Sequence, residues 1–353
     1  MKILYLHQYF NTPEMSGSTR SYEMAKRLVL QGHEVHLITA WREKTDRKSW
    51  FKEIIDGIYV YWLPVFYSNH MDIQERIRAF FYFALKAGKQ AVSLGGDVIF
   101  ATSTPLTIGI PGIYAKRHLQ IPMVFEVRDL WPELPIAMGA LRNPLAKKAA
   151  LLLERFVYKN SAYIIALSEG MAEGIISCGY PPEKVFVIPN GSDLSFFGNT
   201  RGRLPFRSKI PDLDSKPLIT YAGTLGVING VGYLVDIAVA AMEIAPTLRF
   251  LVVGKGKEEN LIRQRASDSG VLNRSFFMLS SVPKNEMPDI LAASDVALSL
   301  FIDLKPMWAN SANKFFDALA AGRPVAVNYG GWQADLLERT LPKIGRASCR
   351  ERV

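Results

Sequence analysis

Three stretches of this 353-residue chain hold residue types at spacings that chemistry can use. The first is Ser311-Ala-Asn-Lys-Phe-Phe-Asp317, read with its continuation to Val325. The pattern predicts one helix, capped at its start by Ser311 or Asn313 and ended by Gly322 in the left-handed conformation. Phe315, Phe316, Leu319 and Ala320 would form the packing face, with Lys314 and Asp317 sharing the opposite one. Free backbone N–H groups, a cation and a carboxylate together suit a nucleoside diphosphate, the diphosphate on the N–H groups and the ribose on the acid. An ordinary surface Lys–Asp contact on a packing helix fits the same residues.

The second stretch is Phe125-Glu-Val-Arg-Asp-Leu-Trp-Pro-Glu133, which follows a strand pattern and sets Arg128, Asp129 and Glu133 beside a Trp-Pro turn. Three such charges at a strand end are a candidate for charged work at a site, or for a structural Arg128–Asp129 pair. The third group is a pair of glycine turns, Gly223-Thr-Leu-Gly226 and Gly254-Lys-Gly256. Each follows a predicted strand, so Gly223, Thr224, Gly254 and Gly256 can bring backbone N–H groups close to phosphate. A polar loop, Asn11–Arg20, lies after the first strand, where open α/β sheets bind ligands. The dinucleotide fingerprint G-x-G-x-x-G is absent.

Positioning these groups requires alternating strands and helices. Strands are predicted at 3–7, 34–39, 58–63, 98–101, 123–127 and 163–166, with a helix at 22–31 ended by Gly32. The pattern restarts with strands at 218–222, 249–253 and 296–300 and a helix at 231–245. This is an α/β chain of two doubly wound, Rossmann-like domains. The boundaries are 1–190 and 191–342, with Val185–Asp193 as a hinge and residues 198–215 as a polar linker. A helix over Arg76–Leu94 carries Phe80, Phe81, Phe83 and Leu85 round much of its circumference. Core packing is the expectation there, with a membrane-interface role as the alternative.

Composition sets further bounds. A 49% hydrophobic and 21% charged chain is globular. Residues 1–190 hold 22 Lys and Arg against 17 Asp and Glu, and residues 191–342 hold 16 against 15. The modest excess in the first half does not indicate nucleic acid and fits weak attraction to anionic lipid. Lys343–Val353 is what a common short-read sequencing adapter encodes, so these eleven residues are set aside as a non-native tail on a truncated second domain. Without them Cys178 stands alone and fits a reducing compartment. The five histidines are scattered, with no metal-ligand spacing, and no cofactor is expected.

F-D-A-L-A-A-G-R-P-V at 316–325 resembles the F-E-A-M-A-x-G-x-P-V block of the retaining GT-B glycosyltransferases of family 4. V-R-D-L-W-P-E at 127–133 and V-I-P-N-G-S-D at 187–193 resemble further blocks of that family. Among its members the chain is similar to the bacterial N-acetyl-L-fucosamine transferases. The resemblance implies two domains facing a cleft, with the second acid of an E-x7-E motif at Asp317 and Ala309 in place of the first. It implies that Gly17, Ser18, Thr19 and Arg20 touch donor phosphate or acceptor. Ser281 and Val282 would lie along the nucleotide base, Lys314 would be the diphosphate cation, and Ser311 and Asn313 would line the donor. Arg128, Asp129 and Glu133 would sit beside the reacting sugar, with Asp129 orienting the acceptor.

The implied reaction moves a sugar from a nucleotide-sugar donor, with retention, to a polyprenyl-diphosphate-linked saccharide in surface-polysaccharide or lipopolysaccharide synthesis. The enzyme would be cytoplasmic, with membrane-surface contact at the inner face. Competing readings are a non-hydrolysing sugar-nucleotide epimerase, a nucleotide-sugar-binding fragment without turnover, and an NAD-dependent oxidoreductase. The last lacks its fingerprint.

Overall fold

The computed structural model describes residues 1–68, 71–198, 206–208, 210, 213 and 216–340. The expected non-native tail, Lys343–Val353, lies outside the described residues. Contacts divide the chain into one unit of Met1–Thr12 and Thr19–Pro189 and a second of Pro13–Ser18 with the chain from Asn190 on. The break falls in the Pro-Asn-Gly segment. The short loop Pro13–Ser18, expected with the first unit, clusters with the second.

In the first unit the elements run β1 (Lys2–Leu6), α1 (Arg20–Leu30), β2 (Glu34–Trp41), β3 (Phe51–Ile55), β4 (Ile58–Pro64) and α2 (Ile73–Leu94). They continue with β5 (Val98–Thr102), α3 (Gly109–Leu119), β6 (Met123–Val127), α4 (Glu133–Ala137), α5 (Pro144–Asn160), β7 (Tyr163–Ala166), α6 (Glu169–Ser177) and β8 (Val185–Val187). The eight strands form one sheet in the order β3-β4-β2-β1-β5-β6-β7-β8. All pairs are parallel except β3 with β4. β1 is central because Ile3, Leu4, Tyr5 and Leu6 are all apolar and buried, as a strand covered on both faces must be. The order reverses at β1 and β5, which makes that edge the switch point.

The second unit contains α7 (Leu194–Phe197), β9 (Leu218–Ala222), α8 (Tyr233–Ile244), β10 (Arg249–Val253), α9 (Glu259–Asp268), β11 (Phe276–Leu279) and α10 (Met287–Ala293). β12 (Val296–Ser299), α11 (Asn313–Ala320), β13 (Val325–Val327) and α12 (Trp332–Thr340) complete it. Its smaller sheet is wholly parallel in the order β11-β10-β9-β12-β13, with the switch point at β9 and β12. Tyr221, Leu234, Phe250 and Phe276 anchor the core beneath α8 and α9.

Three expectations need correction. The α11 cap is Ala312, and neither Ser311 nor Asn313 caps with its side chain. The Ser311 hydroxyl instead accepts from Asn190 N at 3.1 Å. The buried residues of α11 are Phe315, Asp317 and Ala318, while Leu319, expected on the packing face, is 40% exposed. Within the expected linker, Ile210 and Leu213 are core residues beside Leu218 and Leu251. Arg207 is buried there too, donating to the carbonyls of Ala293, Leu213 and Lys216 and pairing with Asp295 at 2.7 Å. A solvated spacer would do none of this.

The two glycine turns lock together. Leu225 N donates to Lys255 O at 2.9 Å and Gly223 N to Val253 O at 2.9 Å. A Cβ at Gly256 would lie 2.2 Å from Leu225 O, which leaves only glycine there. Gly256→Ala is therefore expected to lower stability by about 1–3 kcal/mol in denaturant unfolding. Gly226→Ala, whose Cβ would meet nothing closer than 3.7 Å, should change it little. Equal effects from the two would contradict this packing.

Candidate functional site

In the second unit the switch point holds a lysine amine. β9 ends at Tyr221-Ala222, and α11 brings Lys314 over it, with Nζ 3.0 Å from Tyr221 Oη. The amine also lies 4.6 Å from the Tyr221 ring centre and 4.9 Å from that of Phe301, just beyond β12. With the Asn229 amide turned to satisfy its neighbours, its oxygen accepts from Lys314 Nζ at 3.2 Å and its nitrogen donates to Thr224 O at 2.9 Å. Tyr221 Oη donates to the same carbonyl, also at 2.9 Å. Gly223 packs on this group, since a Cβ there would come within 3.4 Å of Lys314 Cε. Lys314 is only half-buried as a residue, but its amine is turned inward. Desolvation brings its pKa down from 10.5 to about 7.

Asp317 does not pair with Lys314. It is buried, and its carboxylate takes an ion pair from Lys284 and a hydrogen bond from Ser192 Oγ at 2.8 Å. Lys284 lies 4.9 Å from the Phe197 ring centre, and its backbone N donates to Met15 O. Asn313 Nδ2 reaches Ser18 Oγ at 3.0 Å, and the adjacent Gly17 has φ +124°. Gly223, Thr224, Gly254, Gly256, Asn313, Lys314 and Asp317 are thus tied to one region. Ser281 and Val282 lie between Leu279, whose carbonyl accepts from Gly254 N at 3.0 Å, and Lys284. Val282 itself packs on the core near Ile210.

The first unit's switch point gathers the second group. Arg128 N donates to Ser103 Oγ at 2.9 Å, and Arg128 Nη1 lies 3.4 Å from His7 Nε2. Thr104 Oγ1 donates to Asp129 Oδ2 at 2.6 Å. Glu133 begins α4. His7 is held neutral, its pKa depressed by burial and then by Arg128 and Arg42. His7 Nδ1 and both amide atoms of buried Gln8 have no partner among the described residues. Beneath lies a pair that sequence reasoning passed over. Glu126, with no exposed surface, is bound by Arg20 at 2.7 and 2.9 Å and by Thr102 Oγ1 at 2.6 Å. Arg20 also donates to Ile188 O and Pro189 O, so its guanidinium binds β6 to the chain beyond β8. Thr19 is buried at the N-cap of α1, with no side-chain cap hydrogen bond.

The profile of Glycosyltransferase Family 4 matches residues 17–196, half of the chain, and that of Glycosyl transferases group 1 matches residues 216–340. The chain belongs to glycosyltransferase family 4. Its two Rossmann-like sheets, the second smaller, are the GT-B fold of that family. The putative colanic acid biosynthesis glycosyl transferase WcaI of Escherichia coli (strain K12) is 24% identical over 84% of this chain and 76% of its own length. An Escherichia coli UDP-Gal:alpha-D-GlcNAc-diphosphoundecaprenol alpha-1,3-galactosyltransferase is 28% identical over 62% of this chain, which spans only 55% of that relative. The crystal structure of Anabaena Alr3699/HepE in complex with UDP and glucose superposes with a TM-score of 0.67. It is 17% identical, with coverage of 95% of this chain and 83% of that one, and shares the fold.

The inward amine makes a stability prediction. The unfolded chain keeps Lys314 charged up to the ordinary lysine range, whereas the folded amine loses its proton above about pH 7. Stability should rise with pH through that window, and below it the folded protein bears a desolvated ammonium throughout. Lys314→Met is expected to be more stable than the parent at acid pH, on the order of a few kcal/mol, with the gap closing toward pH 10. A pH-independent gap in denaturant midpoints would contradict the inward placement. For the other unit, Arg20→Met should cost about 3–5 kcal/mol by stranding Glu126, with much of it recovered in Arg20→Met/Glu126→Met. Additive losses would show the two side chains to be uncoupled.

Proposed function

We propose that this glycosyltransferase transfers a sugar from a nucleotide-sugar donor, with retention, to a polyprenyl-diphosphate-linked saccharide at the inner membrane face, in surface-polysaccharide synthesis. The observation that carries the donor side is Lys314: an inward amine at the switch point of a parallel sheet, beside two interlocked glycine turns and the start of an eight-residue helix. A diphosphate there meets backbone N–H groups from the Gly223 and Gly254 turns, the α11 dipole and an amine that gains a proton as the anion binds. These groups stabilise charge building on the departing diphosphate, in the manner of an oxyanion site. The proposal gives that role to the chain's own groups rather than to a metal. Asp317 takes the ribose, sharing a carboxylate already held by Lys284 and Ser192.

The acceptor side rests on the first unit's switch point and on what the galactosyltransferase relative is named for. Unpartnered buried polar atoms on His7 and Gln8 beside Arg128 suit a polar ligand, since such groups are ordinarily satisfied. Asp129, fixed by Thr104, orients the acceptor hydroxyl, and the departing diphosphate takes its proton. In this proposal the hydroxyl enters on the face the diphosphate leaves, which is what retention requires. Ala309, where the family has its first acid, motivates a second reading, a nucleotide-sugar binder without turnover.

Kinetics and calorimetry separate these roles. Asp317→Ala should weaken nucleoside diphosphate binding by ~1.5–3 kcal/mol, the loss of a hydrogen bond to a charged group. Asp129→Ala should leave that affinity unchanged and lower kcat about 100-fold, as for a positioning residue. Unchanged affinity in the first variant would remove Asp317 from the donor site. Binding without any sugar transfer by the unaltered protein would favour the second reading.

A further inference from the structure

We propose that Trp308 is a stacking platform for a pyranose ring at the carboxyl edge of the second unit's sheet. The inference rests on the donor chemistry proposed for that edge and adds a subsite to it. Trp308 is 38% exposed and makes no ring–ring or cation–ring contact among the described residues. A singly exposed apolar side chain needs no explanation, but this one has a seat built for it. A Cβ on Gly330 would lie 3.0, 3.1 and 3.1 Å from Cε2, Cδ2 and Cζ2 of the indole. Near-equal distances to three atoms of the six-membered ring set Gly330 against the face of the indole rather than its rim. A Cβ on Gly331, at φ +90°, would meet Trp308 O at 2.3 Å. Glycine at both positions lets one indole face rest on bare backbone, and the exposed surface is left to the remainder of the ring.

The seat is held firmly and lies beside the donor groups. Trp308 belongs to the turn Lys305–Ala309, between β12 and α11, and its neighbour Met307 is buried. Asn310 O, two residues on, accepts from Trp332 Nε1 at 2.9 Å. Asn328, just past β13, exchanges two hydrogen bonds with the Phe301 backbone, at 3.0 and 2.8 Å. These tie the loop that carries the two glycines to the loop that carries the tryptophan. The Phe301 ring centre lies 4.9 Å from Lys314 Nζ and 5.0 Å from that of Tyr329, which adjoins Gly330. A run of contacts therefore leads from the amine assigned to the diphosphate, through Phe301 and Tyr329, to the indole. The C–H face of a pyranose suits the negative face of an aromatic ring, and an indole N–H at its rim can donate to a hydroxyl. The next residue is Ala309, so no carboxylate stands there to bind sugar hydroxyls, and the aromatic ring is the recognition that this turn supplies. The donor's sugar and the acceptor's sugar share this chemistry.

Calorimetry on the full chain tests this and tells the two sources apart. The probes are UDP, GDP and dTDP, the nucleotide-sugars UDP-galactose, UDP-N-acetylglucosamine, GDP-mannose and dTDP-glucose, and methyl α-N-acetylglucosaminide as an acceptor-type sugar. With a donor sugar on the platform, Trp308→Ala should weaken the tightest-binding nucleotide-sugar about tenfold, while its nucleoside diphosphate changes less than about twofold. With an acceptor sugar there, the glycoside should lose about tenfold and the nucleotide-sugars should hold their affinity. Trp308→Phe, which keeps a smaller ring face, should fall between Trp308→Ala and the parent. So should Gly330→Ala, which displaces the indole without removing it. Unchanged affinity for both sugar classes in Trp308→Ala would overturn the proposal. So would equal losses for the nucleoside diphosphate and its sugar ester, which mark a general structural effect. Absence of nucleoside diphosphate binding by the unaltered protein would defeat the functional reading alone. The glycoside then decides the platform, whose binding Trp308→Ala should abolish and whose persistence would overturn the proposal.

Discussion

A primary amine pressed between two aromatic rings, with a phenol and a carboxamide as its hydrogen-bond partners, is the constraint on which the second unit turns. Lys314 has no ion pair with a described carboxylate, and the only shift on its proton affinity is desolvation. The arrangement explains several neighbours. Tyr221 must be both core residue and polar partner, so its hydroxyl sits between Nζ and Thr224 O. Gly223 lies tight against this group, and a Cβ there would press on Tyr221 Oη at 3.0 Å and Lys314 Cε at 3.4 Å. Asp317, one turn on in the same helix, is kept from neutralising the amine by Lys284 and Ser192. An amine held without a counter-charge gives up its proton readily and would regain it most readily beside an anion.

The first unit solves the opposite problem. There the buried charge is a carboxylate, and Glu126 is saturated by Arg20 and Thr102. That pair fixes the ends of β5, β6 and the chain after β8, so Ser103, Thr104, Arg128 and Asp129 emerge at set positions beside His7. One switch point therefore keeps a charge open and the other closes its deepest charge while leaving neutral polar atoms open. The proposed donor and acceptor roles would call for that difference, since a diphosphate needs a cation and a sugar hydroxyl needs orientation.

Much of this framework was legible in the sequence where a single principle dominated. Mostly apolar runs gave β6, β7, β9 and β10 with their observed bounds, because a parallel strand buried on both faces is predominantly apolar even where it holds a paired Glu126. β3 escaped notice because Phe51-Lys-Glu-Ile-Ile55 is a half-exposed edge paired antiparallel. α3 escaped because it contains two glycines and a proline, which read as breakers. Ser311 looked like a cap because its type is right, but Asn190, 121 residues earlier, claims its hydroxyl. The Lys284–Asp317 and Arg20–Glu126 pairs span 33 and 106 residues and leave no local signal. The cations and acids were visible, and their partners were not. In the amphipathic α2, periodicity shows a stripe without saying which side stays uncovered.

The most direct test of the central claim is proton counting during nucleotide binding. Calorimetric titration of the full chain with the tightest-binding of UDP, GDP and dTDP, at about pH 8 in buffers of differing ionisation enthalpy, reports protons taken up. An amine that is mostly neutral when free and charged beneath a diphosphate should draw close to one proton from the buffer, and Lys314→Met should abolish that uptake while weakening binding. Heats that are independent of buffer, or uptake that persists in Lys314→Met, would show that the buried amine is not the group that meets the diphosphate.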